Sequence, residues 1–169
     1  MTTYSKWIKA LNRKGIPVIL DTSGAALHKG LAAKPWLIKP NRPETEELLK
    51  KRIKNREEML WAIRQLLKKG PQIVIISLGN EGALMASKDQ AGVWFAKAPK
   101  VKVDSPVGCG DSLVGGLLSA WLRHRNLVEA FRMGVACGSA TALTAGTELC
   151  YREDVYRLLK KVKIHRLAV

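Results

Sequence analysis

Four apolar residues in a row, Ile73-Val74-Ile75-Ile76, run into the turn Ser77-Leu78-Gly79-Asn80-Glu81-Gly82, and no other feature constrains the fold of this chain as much. A strand without polar alternation suits burial on both faces, the situation of a parallel sheet covered by helices. The rest of the pattern agrees: strands are predicted at 17–21, 36–39, 72–78, 83–87 and 92–97, and helices at 4–13, 24–33, 43–52, 56–69, 111–124, 126–145 and 152–161. Early alternation of the two types predicts an α/β fold with a mainly parallel sheet, and the turn Asp89-Gln90-Ala91-Gly92 predicts an antiparallel hairpin at its edge. At 169 residues and 47% hydrophobic content the chain can form one domain with a real core, and nothing signals a second.

The run Val107-Gly108-Cys109-Gly110-Asp111-Ser112 precedes a long apolar segment that reads as a buried helix. Gly108 and Gly110 allow backbone conformations closed to residues with a Cβ, so successive N–H groups can converge on a phosphate at the positive end of the helix. Asp111 then falls in the first turn, where a carboxylate can take a proton from an alcohol while the amides hold developing charge. The plainer alternative is a flexible turn into a helix capped by Asp111.

Two further elements lie at predicted strand ends. In Trp36-Leu37-Ile38-Lys39-Pro40-Asn41-Arg42-Pro43-Glu44, Asn41 ends a strand and Glu44 follows on the turn, so both side chains can face a triphosphate and its hydrated Mg²⁺. The alternative is that Asn41 caps the helix starting near Pro43 and Glu44 complements its dipole. Ser77-Leu78-Gly79 and Gly82 end the central strand, where ligands gather in parallel sheets; the alternative is an ordinary tight turn.

Taken together and in order, Asp104-Ser105-Pro106-Val107-Gly108-Cys109-Gly110-Asp111-Ser112, Lys39-Pro40-Asn41-Arg42-Pro43-Glu44 and Ser77-Leu78-Gly79-Asn80-Glu81-Gly82 resemble the signatures of the PfkB, or ribokinase-like, carbohydrate kinases. Pro106 and Cys109 depart from that family's Asp-Thr-x-Gly-Ala-Gly-Asp run, without touching the two glycines or the carboxylate. Pro17-Val18-Ile19-Leu20-Asp21-Thr22-Ser23-Gly24 and Asp111-Ser112-Leu113-Val114-Gly115-Gly116 look like the branch of 1-phosphofructokinases and tagatose-6-phosphate kinases.

The resemblance implies a three-layer α/β/α ribokinase-like fold and ATP-dependent phosphorylation of a phosphosugar, fructose 1-phosphate first. It implies Asp111 as base, with Gly108, Cys109 and Gly110 as the anion hole. Lys39 would approach the nucleotide phosphates, Asn41 and Glu44 would act on Mg²⁺ through water, and Ser77, Leu78, Gly79 and Gly82 would lie along the nucleotide. Carbonyls around Ser105 and Val107 would hold a monovalent cation such as K⁺. It further implies that 1–169 is a single partial domain, the nucleotide-binding C-terminal part, without the N-terminal half and its β lid. A non-catalytic nucleotide-binding fragment is the alternative.

Charge is the feature this reading explains least. Twenty-nine Lys and Arg against 14 Asp and Glu give +15, enough to attract nucleic acid or acidic surfaces without specificity. The basic residues are scattered, however, and Lys50-Lys51-Arg52, Lys68-Lys69 and Lys160-Lys161-Val162-Lys163 read as solvated helix faces, so a nucleic-acid-binding protein is only the secondary reading. No apolar run approaches the ~20 residues of a membrane helix, no signal peptide is read at the start, and a cytoplasmic protein without a membrane partner is expected. The odd cysteine count, Cys109, Cys137 and Cys150, argues for reduced thiols, and a homo-oligomer is left open. His28, His124 and His165 show no catalytic spacing.

Overall fold

The computed structural model describes residues 3–167. Its helices are α1 (Thr3–Arg13), α2 (Gly24–Leu31), α3 (Arg42–Leu49), α4 (Arg56–Lys68), α5 (Cys109–His124), α6 (Leu127–Thr141) and α7 (Arg152–Leu159). Its strands are β1 (Ile19–Leu20), β2 (Leu37–Ile38), β3 (Ile73–Ser77), β4 (Gly82–Ser87), β5 (Val93–Lys97) and β6 (Lys163–Leu167), joined in one sheet whose strand order follows the chain. The architecture is mixed α/β with a mainly parallel open sheet, as the sequence pattern predicts. The chain divides into two compact units: Met1–Leu78 with Leu84–Val93 and Leu167–Val169, and Gly79–Ala83 with Trp94–Arg166.

In the first unit, β1, β2 and β3 run parallel, with Leu20 opposite Ile38 and Ile38 opposite Val74. Ile73, Val74, Ile75 and Ile76 are all buried, the burial on both faces that their unbroken apolar run requires. Helix α4 packs on this strand through Met59, Ala62, Ile63 and Leu66, an i, i+3, i+4, i+7 face, and starts where the Asn55 side chain accepts the Glu58 N–H. On α1, Tyr4, Trp7, Ile8 and Leu11 share one face at i, i+3, i+4, i+7, yet of these only Ile8 is buried, and Tyr4 and Trp7 are exposed and meet edge to face.

In the second unit, α5 lies against α6 and α6 against α7. In α6 the run Gly134-Val135-Ala136-Cys137-Gly138-Ser139-Ala140 is rich in small residues, which lets α5 approach closely. A Cβ on Gly134 would come 2.6 Å from the Leu113 carbonyl oxygen, and one on Gly138 would come 2.8 Å from that of Cys109.

Two expectations are corrected. The pair β4 and β5 does not form the sheet edge, because β6 lies beyond β5. That last strand is absent from the sequence reading, since Lys163-Ile164-His165-Arg166-Leu167 is largely polar and exposed, the composition of an edge strand that discourages further pairing.

Candidate functional site

Helix α5 starts one residue past Gly108, which is its N-cap at φ 76 and makes no side-chain cap. That left-handed conformation is strained for any residue with a Cβ, so glycine is what lets the chain turn directly into the helix. The first helical hydrogen bond runs from Ser112 N–H to the Gly108 carbonyl at 2.9 Å. The N–H groups of Cys109, Gly110 and Asp111 therefore precede the helical ladder, at the positive end of a 16-residue dipole. Asp111 stands exposed in this first turn and does not cap the helix, since Gly108 holds the N-cap position. Gly110 departs from its expected role: it lies within α5 in helical backbone, so only Gly108 uses glycine's conformational freedom.

Packing within the same unit fixes this turn. Gly138 lets α6 sit directly on the Cys109 carbonyl. Thr141, fully buried, donates to Ser112 Oγ at 2.6 Å, which ties the end of α6 to the first turns of α5. The loop after α6 holds the segment ahead of Gly108: Asp104 N–H donates to the Ala142 carbonyl at 2.8 Å and Ser105 Oγ to the Gly146 carbonyl at 2.6 Å. Ser105 Oγ also accepts the Val107 N–H at 3.2 Å, and the Cys109 thiol points to the Ser105 carbonyl at 3.8 Å. Burial pushes the Cys109 thiol above its ordinary range, its own backbone acting the other way. Burial, with the neighbouring Cys150, likewise pushes Cys137 up to about 12.

In the first unit the candidate side chains lie just past the strands. Lys39 follows β2 and is only 7% exposed, and its Nζ pairs with Asp21 Oδ2 at 3.2 Å. Asn41 is the N-cap of α3: its Oδ1 accepts the Glu44 N–H at 2.9 Å while Glu44 Oε2 accepts the Asn41 N–H at 2.9 Å. This reciprocal capping box, with Pro43 in the first turn, is what the plainer reading of Asn41 and Glu44 predicts. It leaves Asn41 Nδ2 and Glu44 Oε1 outside the cap. Asn41 also bridges Ser77 in parallel fashion, with Ser77 N–H donating to the Pro40 carbonyl at 3.0 Å. After Leu78, the chain turns through Gly79 at φ 60 and Gly82 at φ 120, and a Cβ on Gly82 would collide with the backbone of Ala96 and Ala98.

The structure thus brings Lys39, Asn41, Glu44 and Ser77 to the strand ends of one unit, and Ser105, Val107, Gly108, Cys109, Gly110 and Asp111 to one helix start in the other. Sequence reasoning assigned no role to Asp21 or to the hydroxyl of Thr141. A signal for Asp21 existed: β1 and β2 are each followed by a charged residue, and the register Leu20 opposite Ile38 sets Asp21 beside Lys39. The Thr141 hydroxyl gave no pattern, because its partner Ser112 is set by tertiary packing.

Phosphate and magnesium can be tested against these groups. An uncapped helix start opened by a left-handed glycine fits an anion. Glu44, with one carboxylate oxygen outside the cap, fits a hydrated Mg²⁺ held by one or two carboxylates and phosphate oxygens. Among the described residues no group of three or more His, Cys, Asp or Glu forms a metal cage, and no helix is long and apolar enough to cross a membrane.

Residues 1–154 match the pfkB family carbohydrate kinases. The chain is 41% identical over 165 residues to a 1-phosphofructokinase of Bacillus subtilis (strain 168), which covers 98% of this chain and 53% of that protein. To the 1-phosphofructokinase of Escherichia coli (strain K12) it is 33% identical over 161 residues, 95% of this chain and 51% of the relative. Among solved structures, phosphofructokinase-2 from Escherichia coli in complex with potassium aligns at a TM-score of 0.87 and 33% identity, over 94% of this chain and 51% of that one. Arabidopsis thaliana ribokinase, at 23% identity and a TM-score of 0.80, shares the fold. The chain spans about half the length of the curated relatives it matches. By its match over 1–154 and the signatures it carries at Asn41, Glu44 and Gly108 to Asp111, the chain belongs to the pfkB family of carbohydrate kinases.

Proposed function

We propose that residues 1–169 are a single partial domain, the nucleotide-binding C-terminal part of an ATP-dependent phosphosugar kinase that converts fructose 1-phosphate to fructose 1,6-bisphosphate in the cytoplasm. The observation that carries this reading is the start of α5, where an uncapped, glycine-initiated helix end has an exposed carboxylate in its first turn. The substrate comes from the relatives named 1-phosphofructokinase.

In this reading Asp111 accepts the proton of the sugar hydroxyl, and the N–H groups from Gly108 to Asp111 hold the charge that develops on the transferred phosphoryl group. Lys39 meets the nucleotide phosphates, Asn41 and Glu44 hold the hydrated metal, and Ser77, Leu78, Gly79 and Gly82 border the nucleotide. Mg²⁺, when bound, neutralises phosphate charge and orients the phosphates. Ser105 and Val107 carbonyls would take a monovalent cation, for which the potassium complex of the Escherichia coli neighbour offers support.

Replacing Asp111 by Asn in the whole protein tests this: turnover of fructose 1-phosphate should collapse while MgATP binding persists. An Asn variant that kept most of the rate would show that Asp111 is not the base. A second reading, nucleotide binding without turnover, is favoured by the share of the relatives the chain covers. The purified 169-residue polypeptide is then expected to bind MgATP yet release little ADP with fructose 1-phosphate, and robust sugar-dependent turnover would remove this second reading.

A further inference from the structure

Lys39 and Asp21 form a pair that neither the capping box nor the sheet requires. Each stands one residue past a parallel strand, and the register Ile19 opposite Leu37 and Leu20 opposite Ile38 brings the next two residues out side by side. Strand ends of this kind are where ligands bind in parallel sheets. The Lys39 side chain is 8% exposed and that of Asp21 29%, so the ammonium is nearly enclosed while its partner carboxylate still reaches solvent. Three other ion pairs among the described residues are different: in Lys51–Glu58, Arg132–Glu129 and Arg157–Asp154 the cation side chain is 45%, 32% and 59% exposed. Those pairs contribute little to the fold, whereas an enclosed ammonium without a partner is strongly penalised.

We infer that Asp21 is a positioning residue for Lys39, holding its ammonium at the end of β2 in the orientation that receives a nucleotide phosphate. The inference rests on the proposed role of Lys39 as a phosphate contact. A lysine ammonium carries three donors on a flexible four-carbon stem, and left alone it samples many rotamers. Asp21 Oδ2 at 3.2 Å engages the ammonium from one side, which leaves donors for a phosphate oxygen and removes the rotamers that would point elsewhere. A simple charge argument gives the opposite sign: if Asp21 merely repelled phosphate, removing its charge would tighten binding. Measurement separates the two.

The test is MgATP binding to the full 169-residue chain, by calorimetry, for wild type, Asp21→Asn, Lys39→Met and the double variant, with adenosine as a second probe. The double variant leaves no unpaired charge and stays measurable even if a single variant fails to fold. Asp21→Asn is expected to weaken MgATP binding about tenfold, the scale of one charge-assisted contact, and to leave adenosine binding unchanged. In the Lys39→Met background, replacing Asp21 should cost no further affinity, because the residue acts through the lysine. Tighter MgATP binding by Asp21→Asn would overturn the inference. So would losses that add in the double variant, or a loss abolished by raising Mg²⁺ alone, which would assign Asp21 to the metal. If Lys39→Met binds MgATP as wild type does, or the wild-type chain binds none, the underlying reading of Lys39 fails along with the inference. Additive losses in a chain that does bind overturn the positioning role alone.

Discussion

The start of α5 and the corner from β2 into α3 both carry candidate chemistry, and they are built on opposite terms. At α5 the donors are backbone N–H groups, held by glycines that admit a neighbouring helix, and the one reactive side chain, Asp111, stands clear of the packing. At the corner the candidates are side chains already engaged in the fold: Lys39 in an enclosed ion pair, Asn41 and Glu44 in a capping box. In the first region chemistry and stability reside in different atoms. In the second the same atoms serve both, so a substitution there alters two things at once unless it is chosen to preserve the cap or the pair.

The largest effect that this contrast predicts is at Asp111. Asn keeps the size and first-turn placement, loses the base, and should lower the turnover of the whole protein by roughly 10²–10⁴-fold with an unchanged unfolding midpoint. A large loss of stability in Asp111→Asn would break the comparison, because it would show that this side chain also holds the fold.

Next comes the packing under the same turn. An Ala at Gly138 would place its Cβ 2.8 Å from the Cys109 carbonyl, backbone that cannot swing aside, so Gly138→Ala should destabilise by about 1–3 kcal/mol in urea unfolding and weaken MgATP binding as the N–H groups shift. Gly115, on the facing helix α5, is the control: it is exposed, nothing lies within 4 Å of its Cβ position, and Ala there should stabilise by about 0.5–1 kcal/mol. Equal effects at the two glycines would mean that helix propensity, and not the approach of α6, governs this region.

How far the sequence reaches follows from the same contrast. Local rules made β3, α4 and the small-residue face of α6 legible, because an unbroken apolar run, a capped 3.6-residue period and spaced glycines each report on the residue's own surroundings. The motif at Gly108 to Asp111 was legible for that reason too, although Gly110 proved to be ordinary helix. What stayed hidden needed a partner distant in sequence. Asp21 and Lys39 are 18 positions apart and meet only through the β1–β2 register, Ser112 and Thr141 only through the crossing of α5 and α6, and β6 only because β5 offers it an edge. Asn41 and Glu44 were ambiguous because the residues that make a good cap also make good ligands.

A smaller effect is expected at Gly108, where φ 76 makes any Cβ unfavourable although the space around it is open, with Thr141 Cγ2 at 3.7 Å the nearest atom. Gly108→Ala should therefore cost about 1–2 kcal/mol through backbone strain alone. A larger loss would point to rearrangement of the α5 start, visible as weaker MgATP binding beyond that of the Gly115 control.

The smallest effect resolves the ambiguity at Asn41. If Asn41 only caps α3, Ala should cost about 1 kcal/mol and Ser, whose hydroxyl can also accept the Glu44 N–H, should restore most of it. Asn41 Nδ2 lies outside the cap, and Ser has no donor in its place, so a role toward nucleotide or hydrated metal predicts a split. Asn41→Ser should then unfold within a few tenths of a kcal/mol of wild type, the spread among good caps, yet bind MgATP several-fold more weakly. Wild-type stability together with wild-type MgATP affinity in Asn41→Ser would reduce Asn41 to a helix cap and leave Glu44 and Lys39 as the ligand-facing side chains of that corner.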